Sequence, residues 1–95
     1  MFDRILVIGA TGLLGRPVVE RLAKGGHTVR TLTRSAAKAN AMFGGAVEIV
    51  EGSATKIDDV RTAMAGCDAV HINLSPATEY TATRHVIEVA DGRLE

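Results

Sequence analysis

The sequence contains no tryptophan, one tyrosine, two phenylalanines and a single cysteine. A single cysteine cannot form a disulfide within the chain, which is typical of a protein from a reducing cytoplasm. No apolar run approaches the roughly 18 residues that a membrane-spanning helix needs. The apolar run 5–8 has neither the length nor the small-residue cleavage site of a signal peptide. We therefore expect a cytoplasmic protein with no membrane partner.

An excess of charge of either sign is also missing, because 11 Lys and Arg residues balance 11 Asp and Glu residues. A chain without net positive charge has no general attraction for nucleic acid, so we expect no nucleic-acid partner. Hydrophobic residues make up 46% of the 95 residues and charged residues 23%, as in a globular domain. This length predicts one small domain over residues 1–95, with a light core because aromatic residues are so few.

Short runs of strand-forming residues alternate with stretches of helical spacing along the chain. The predicted strands cover 4–8, 27–33, 46–50 and 68–74, and the predicted helices lie within 11–24, 36–42, 56–65 and from 76 onward. Ser35 and Thr55 are candidate N-caps of the second and third helices. Strands that alternate with helices indicate a parallel sheet with helices on both faces. We therefore predict a doubly wound, Rossmann-like α/β fold with four strands in the order 3-2-1-4.

The turn after the first predicted strand is rich in glycine and reads GATGLLG from Gly9 to Gly15. Gly9 allows a tight turn, Gly12 leaves room for a pyrophosphate, and Gly15 lets the following helix pack closely on the strand. Backbone N–H groups and the positive end of the helix dipole then hold the phosphates. The pattern predicts a dinucleotide site, and the alternative is a glycine-rich turn that binds nothing. The candidate residues in this turn are Gly9, Thr11, Gly12, Leu13, Leu14 and Gly15.

Two long segments of the chain are similar to a known family. ILVIGATGLLGRPVVERLAKGGHTVRTLTRS and VEIVEGSATKIDDVRTAMAGCDAVHINLS resemble the N-terminal part of the atypical short-chain dehydrogenase/reductases, in particular the NmrA-like, NAD(P)H-binding group. The resemblance implies a Rossmann fold that holds NAD(P) along the carboxyl ends of the strands. It also implies that members divide into reductases, isomerases and catalytically silent redox sensors. We keep two hypotheses for a parent protein: an NADPH-dependent reductase of a small carbonyl substrate, or a non-catalytic NADPH/NADP redox sensor that binds a protein partner. The sequence leaves this choice open.

The residues after the second predicted strand favour NADP over NAD, although NAD is kept as an alternative. An NAD site usually has a carboxylate here for the ribose hydroxyls, but no Asp or Glu lies between Gly25 and Ala46. Arg34 can pair with a 2′-phosphate and stack on adenine, and the resemblance implies the same role. The alternative for Arg34 is a solvated loop arginine. Lys38 can add charge, but we favour an exposed lysine without a ligand.

Two more segments enter the predicted site through the resemblance. Family members commonly have an acidic residue beside the adenine, where this chain has Ser53, which can form hydrogen bonds but carries no charge. Asn73, Leu74 and Ser75 end the fourth predicted strand beside the glycine turn, where the family holds the cofactor ribose and nicotinamide. Cofactor contact and no contact are equally good interpretations of these three residues.

The catalytic Tyr-x-x-x-Lys pair of the family has no counterpart in this chain. Tyr80 and Arg84 have the spacing, but an arginine cannot exchange a proton with substrate, so we predict no catalytic residues. The three histidines lack metal-ligand spacing, so we predict no metal site, and Cys67 is interpreted as a small buried residue. Because 91–95 follow without a fifth strand, we expect a truncated fold, the N-terminal portion of a longer one, without a complete active site.

A four-stranded fold of this order leaves its fourth strand at an open edge. An unpaired edge invites pairing with another chain. We therefore predict a homodimer formed either through this edge or through the last helix.

Overall fold

A computed structural model describes residues 4–10, 15–73 and 76–94, without the side-chain surroundings of 76–80 and 91–94. Four strands and four helices alternate along the chain. They are β1 (Arg4–Ile8), α1 (Gly15–Lys24), β2 (Thr28–Thr33), α2 (Ala36–Phe43), β3 (Glu48–Glu51), α3 (Ile57–Met64), β4 (Ala69–Ile72) and α4 (Pro76–Leu94). The strands pair in parallel in the order β3-β2-β1-β4. The predicted Rossmann-like architecture and strand order are confirmed.

Each strand extends only as far as it pairs with its neighbour. The bounds of three strands therefore differ from the predicted ones. β4 covers only Ala69–Ile72 because it pairs with 5–8 of β1. β3 runs from Glu48 to Glu51, shifted from the predicted 46–50, because these four residues pair with 30–33 of β2. β2 starts one residue later than predicted, at Thr28, the partner of Arg4.

One of the two predicted helix caps is confirmed and the other is wrong. Ser35 is the N-cap of α2, where its Oγ accepts a hydrogen bond from the backbone N–H of Lys38 at 3.2 Å. The N-cap of α3 is Lys56 rather than Thr55, and no side chain caps this helix. Thr55 fails as a cap because its Oγ1 lies 2.7 Å from the Oγ of Ser53, in the loop before the helix.

The sheet separates two apolar clusters, because alternate residues of each strand point to opposite faces. Residues of β1 and β2 on one face pack with α1 and with Phe43 of α2. That cluster contains Ile5, Val7, Ala10, Val19, Val29 and Val47. The opposite face packs against α3 and α4. Its cluster contains Leu6, Ile8, Leu32, Val60, Ala63, Met64, Cys67 and Val89, and only 3% of the Cys67 surface is exposed, which confirms the prediction of a buried residue.

Thr31 introduces a polar atom into the first of these clusters. The residue is fully buried on β2 between Val7 and Ile49, and its Oγ1 has no hydrogen-bond partner among the described residues. A buried hydroxyl without a partner loses its hydration without compensation. We expect Thr31→Val to raise the free energy of unfolding by about 1 kcal/mol in urea denaturation. Thr28→Val, at an exposed position of the same strand, should change it by less than about 0.5 kcal/mol. Equal effects of the two substitutions would contradict the assignment.

A charged network joins the first three strands and the end of α3. Arg4 binds Glu48 through two hydrogen bonds, from Nε at 2.9 Å and from Nη2 at 3.2 Å. Arg30 donates to the same carboxylate at 3.2 Å and also to the carbonyls of Ala63 and Ala65, at 2.8 and 2.6 Å. Arg30 therefore satisfies carbonyls at the end of α3 that the helix itself leaves without partners.

This network makes stability depend on pH. The side-chain hydrogen bond from Arg4 holds the pKa of Glu48 below its usual 4.5. Because the folded pKa is the lower one, the interaction stabilises the native state above the unfolded pKa and is lost as the pH falls through the folded pKa. The side chain is 42% exposed, so we expect a contribution below about 1 kcal/mol. Denaturation at pH 7 should show Glu48→Gln to be the less stable protein, and the difference should shrink as the pH falls below 4.5.

Candidate functional site

The turn that leaves β1 approaches the start of α1 very closely. Gly9 has a φ of 89°, in the left-handed region that favours glycine. A Cβ at Gly15 would lie 2.0 Å from the carbonyl oxygen of Gly9 and 2.9 Å from the Cα of Ala10. Only glycine allows this approach, so the predicted packing roles of Gly9 and Gly15 agree with the geometry. The other candidates in the turn, Thr11, Gly12, Leu13 and Leu14, lie outside the described residues.

A cavity of about 340 Å³ opens beside this turn, between the segments that follow β2 and β3. Its lining combines apolar side chains from the strands with polar and cationic residues from the two loops and from the start of α2. The lining residues are Ile8, Leu32, Thr33, Arg34, Ser35, Lys38, Gly52, Ser53, Ala54 and Thr55. Two of the predicted site residues, Arg34 and Ser53, therefore stand on opposite walls of one cavity.

The charged side chains that line the cavity are cations. Arg34 and Lys38 contribute them, and none of the described residues in the lining is acidic. The N-cap of α2, Ser35, also lies in the wall, so the positive end of that helix dipole adds to the field. Apolar strand residues beside two cations suit an aromatic ring that carries an anionic substituent.

Hydrogen bonds hold the turn on the cationic wall in place. The Oγ1 of Thr33 accepts from the backbone N–H of Ser35 at 3.1 Å, around the intervening Arg34. The Oγ of Ser35 then accepts from the N–H of Lys38. Both cations of the cavity thus project from a fixed backbone, which lowers the entropy that an anion-binding site must lose when it orders.

Residues 52–55 form the opposite wall, and we call this segment the 52–55 loop. The N–H of Gly52 donates to the carbonyl of Thr33 at 2.8 Å, which carries the β2–β3 pairing into the loop. The N–H of Ser53 donates to Oδ2 of Asp59 at 2.9 Å, and Nδ1 of His85 donates to the carbonyl of Ala54 at 3.0 Å. Side chains from both α3 and α4 therefore bind the loop from behind.

The third predicted group lies at the end of β4. The backbone N–H of Asn73 donates to the carbonyl of Ile8 at 2.8 Å, so Asn73 stands directly beside the glycine turn. The residue is half-buried. Leu74 and Ser75, which complete this predicted group, lie outside the described residues.

Sequence reasoning missed what three residues do at the cavity: Lys38 lines it, and Asp59 and His85 bind the loop that forms one of its walls. Lys38 lines the wall although we favoured an exposed lysine without a ligand, and its one-turn spacing from Arg34 was the available signal. Asp59 was not predicted to have a role at the site, and it binds the 52–55 loop. His85 was treated as an isolated histidine, because no local pattern connects it to Ala54, 31 residues earlier.

Comparisons with known proteins agree with this geometry. The profile of the NAD(P)H-binding family matches residues 9–93. The photosystem II assembly factor Ycf39 of Synechocystis sp. is 37% identical over 84 residues, which are 87% of this chain and 26% of Ycf39. The chain thus spans about a quarter of the length of this curated relative.

Two solved structures share the fold. The anaerobillin reductase ChuY of Escherichia coli O157:H7 has a TM-score of 0.80 at 26% identity, covering 94% of this chain and 45% of ChuY. A Rossmann-fold NAD(P)-binding family protein from Shigella flexneri has a TM-score of 0.81 at 25% identity, covering 97% of this chain and 47% of that protein. Within the part of the chain that the structure describes, no helix is long and apolar enough to cross a membrane.

Proposed function

The chain belongs to the NAD(P)H-binding family, as an atypical short-chain dehydrogenase/reductase of the NmrA-like group, and from this premise we propose a dinucleotide-binding module that prefers NADP(H) to NAD(H). The observation that carries the preference is the cavity with Arg34 and Lys38, whose described lining residues include no carboxylate. A guanidinium pairs with a phosphate through two parallel hydrogen bonds, whereas a carboxylate at this position repels it. NAD sites usually place a carboxylate here for the ribose hydroxyls.

The proposal assigns a part of the cofactor to each group of residues. Arg34 holds the 2′-phosphate, and Ser53 lies at the adenine side of the same cavity. The glycine turn holds the pyrophosphate, supported by the close approach of Gly15 to Gly9. Asn73, with Leu74 and Ser75, contacts the ribose and nicotinamide, supported by the hydrogen bond from Asn73 to Ile8 beside the turn. The residues proposed to surround the pyrophosphate are Gly9, Thr11, Gly12, Leu13, Leu14 and Gly15.

Calorimetric titration with NADPH and with NADH tests the proposal. We expect NADPH to bind at least about tenfold more tightly, a difference of about 1.4 kcal/mol. Failure of both nucleotides to bind at millimolar concentration would overturn the dinucleotide-binding module itself. Equal affinities would leave the module standing and overturn the preference for NADP(H).

We further propose that residues 1–95 are the N-terminal, dinucleotide-binding portion of a longer, cytoplasmic protein. The support is the coverage, since the matches span 26% of Ycf39 and 45% of ChuY. ChuY is a reductase, and it is 26% identical to this chain. This likeness favours hydride transfer as the activity of the longer protein. The 95 residues contain no Tyr-x-x-x-Lys pair, so we expect them alone to oxidise no NADPH with a panel of carbonyl compounds.

The homodimer also remains a proposal, and the edge of the sheet supports it. Within the described residues β4 has a neighbouring strand on one side only, and Val70 and Ile72 are half-buried in it. Ile87 of α4 is 54% exposed. Burial of these apolar side chains against a second copy favours association through β4 or α4. Sedimentation at micromolar concentration should show a dimer, and a 10 kDa species with a concentration-independent melting temperature would contradict it.

A further inference from the structure

We infer that Asp59 of α3 and His85 of α4 are positioning residues for cofactor binding, because they fix the shape of the 52–55 loop that forms one wall of the cavity. The inference rests on the proposed function, since it gives these two side chains a role in dinucleotide affinity. Neither of them lines the cavity itself. Both act on the binding site through the backbone that they hold.

The contact of Asp59 is a charge-assisted hydrogen bond within a tightly packed corner. Its Oδ2 accepts from the backbone N–H of Ser53 at 2.9 Å, and the residue is half-buried. Hydrogen bonds between a carboxylate and a backbone N–H are shorter and stronger than bonds between neutral groups. The neighbouring Asp58 makes no such contact: it is exposed and pairs with Arg61 at 2.7 Å.

Gly52 provides the space that this carboxylate occupies. A Cβ at Gly52 would lie 2.8 Å from both Cγ and Oδ2 of Asp59 and 3.0 Å from its Cβ. The backbone of Gly52 does not have a positive φ, so an alanine is acceptable there except for this collision. The glycine and the carboxylate therefore form a matched pair, in which the small residue allows the hydrogen bond to form.

His85 holds the same loop from a different helix. The carbonyl of Ala54 can only accept, so Nδ1 of His85 carries the hydrogen in their 3.0 Å bond. The side chain is partly buried, and it connects α4 to a loop that precedes α3. Asp59 of α3 binds the N–H of Ser53, and His85 of α4 binds the carbonyl of Ala54. Two helices therefore fix two consecutive residues of the wall.

A fixed wall favours binding because the loop then loses little conformational entropy when a ligand fills the cavity. This wall offers only hydroxyl and backbone groups, with Ser53 and Thr55 exchanging a hydrogen bond at 2.7 Å. It lies opposite Arg34, so a shift of the wall changes contacts to the adenine rather than to the 2′-phosphate. Loss of the positioning residues should therefore lower the affinities for NADPH and for NADH by the same factor.

Asp59→Ala tests the first half of the inference, with Asp58→Ala as the matched control that removes an equal charge from the same helical turn. NADPH, NADH and 2′,5′-ADP are titrated at a temperature at which circular dichroism shows every variant folded. We expect Asp59→Ala to lower the affinity for all three ligands by about tenfold, the scale of a hydrogen bond to a charged group. Asp58→Ala should change none of these affinities. Asp59→Asn keeps an acceptor oxygen and should recover most of the affinity.

His85→Ala tests the second half, and we expect a loss of about fivefold for the same three ligands, the scale of a hydrogen bond between neutral groups. His85→Asn places a side-chain N–H near the position of Nδ1 and should restore binding, and Arg84→Ala, its exposed neighbour, is the control. A purely structural role would lower the melting temperature and leave the dissociation constants of the folded variants unchanged, and this result would overturn the inference.

A double-variant cycle tests the link between Gly52 and Asp59. Gly52→Ala should lower the affinity for NADPH as much as Asp59→Ala does. In the double variant, Gly52→Ala should lower the affinity little further, because the carboxylate is already gone. Additive losses would contradict the matched pair. Absence of binding by the unsubstituted chain refutes the proposed function, whereas binding that all these variants retain refutes only the positioning roles.

Discussion

Replacing Arg34 by alanine should lower the affinity for NADPH by about 30-fold, because a hydrogen-bonded interaction with a charged group contributes about 2 kcal/mol. The affinity for NADH should change by less than about twofold, since NADH has no 2′-phosphate for the guanidinium to bind. Arg34 lines the cavity together with Lys38, and the lining contains no acidic residue from the part of the chain that the structure describes. Calorimetry with both nucleotides measures the ratio of the two affinities directly.

Arg61→Ala is the matched control for this substitution. Arg61 is also an exposed arginine, but it pairs with Asp58 on α3 and does not line the cavity. Its replacement should leave both affinities unchanged. A preference for NADPH that survives Arg34→Ala would remove the assigned role of Arg34 and direct attention to Lys38 and the N-terminus of α2. Lys38→Ala in the same assay then separates those two contributions.

Gly15→Ala should have the largest effect on the fold, lowering the free energy of unfolding by about 3 kcal/mol, the upper range for inserting a group into a packed interior. The added Cβ would lie 2.0 Å from the carbonyl oxygen of Gly9, and backbone atoms cannot rotate away as a flexible side chain can. To relieve the contact, α1 has to move away from β1, which opens the turn that we propose to hold the pyrophosphate. NADPH binding should therefore be lost as well.

Urea denaturation and NADPH titration check this prediction, with Gly25→Ala as the control in the same helix region. The nearest atom to a Cβ at Gly25 lies at 3.4 Å, and this glycine has no positive φ, so the substitution should be tolerated. If Gly15→Ala has unchanged stability, the helix can shift at low cost and the close approach is not required. If stability falls but NADPH still binds to the folded fraction, the turn does not hold the pyrophosphate.

Much of the architecture could be predicted because it depends on local patterns. The apolar run of β1, the glycines after it and the helical spacing of α1 are all within about 20 residues, and they indicate a βα unit directly. Three repetitions of that alternation imply parallel pairing, and chirality limits the order of the strands. Arg34 and Ser53 could be placed at one site because both follow strands, and parallel strands end at the same edge of a sheet.

The errors and omissions arise from tertiary contacts that local patterns do not contain. Threonine is a favoured N-cap residue, but the hydroxyl of Thr55 forms a hydrogen bond with the hydroxyl of Ser53 instead. The end of β4 depends on where β1 ends, 60 or more residues earlier in the chain. His85 meets Ala54 only because α4 packs against α3, and no spacing rule predicts which carbonyl it meets.

The division of the core between the two faces of the sheet has a consequence for synthesis of the chain. The helices on one face, α1 and α2, lie within residues 15–43, whereas the helices on the other face, α3 and α4, lie within 57–94. When only the first 55 residues have emerged from the ribosome, β1, β2 and β3 can pair and one face can be covered. The opposite face, with Leu6, Ile8 and Leu32, then stays in contact with water until α3 and α4 emerge. The nascent chain therefore passes through a stage that is prone to aggregation and suited to chaperone binding, and that ends only when α4 leaves the exit tunnel.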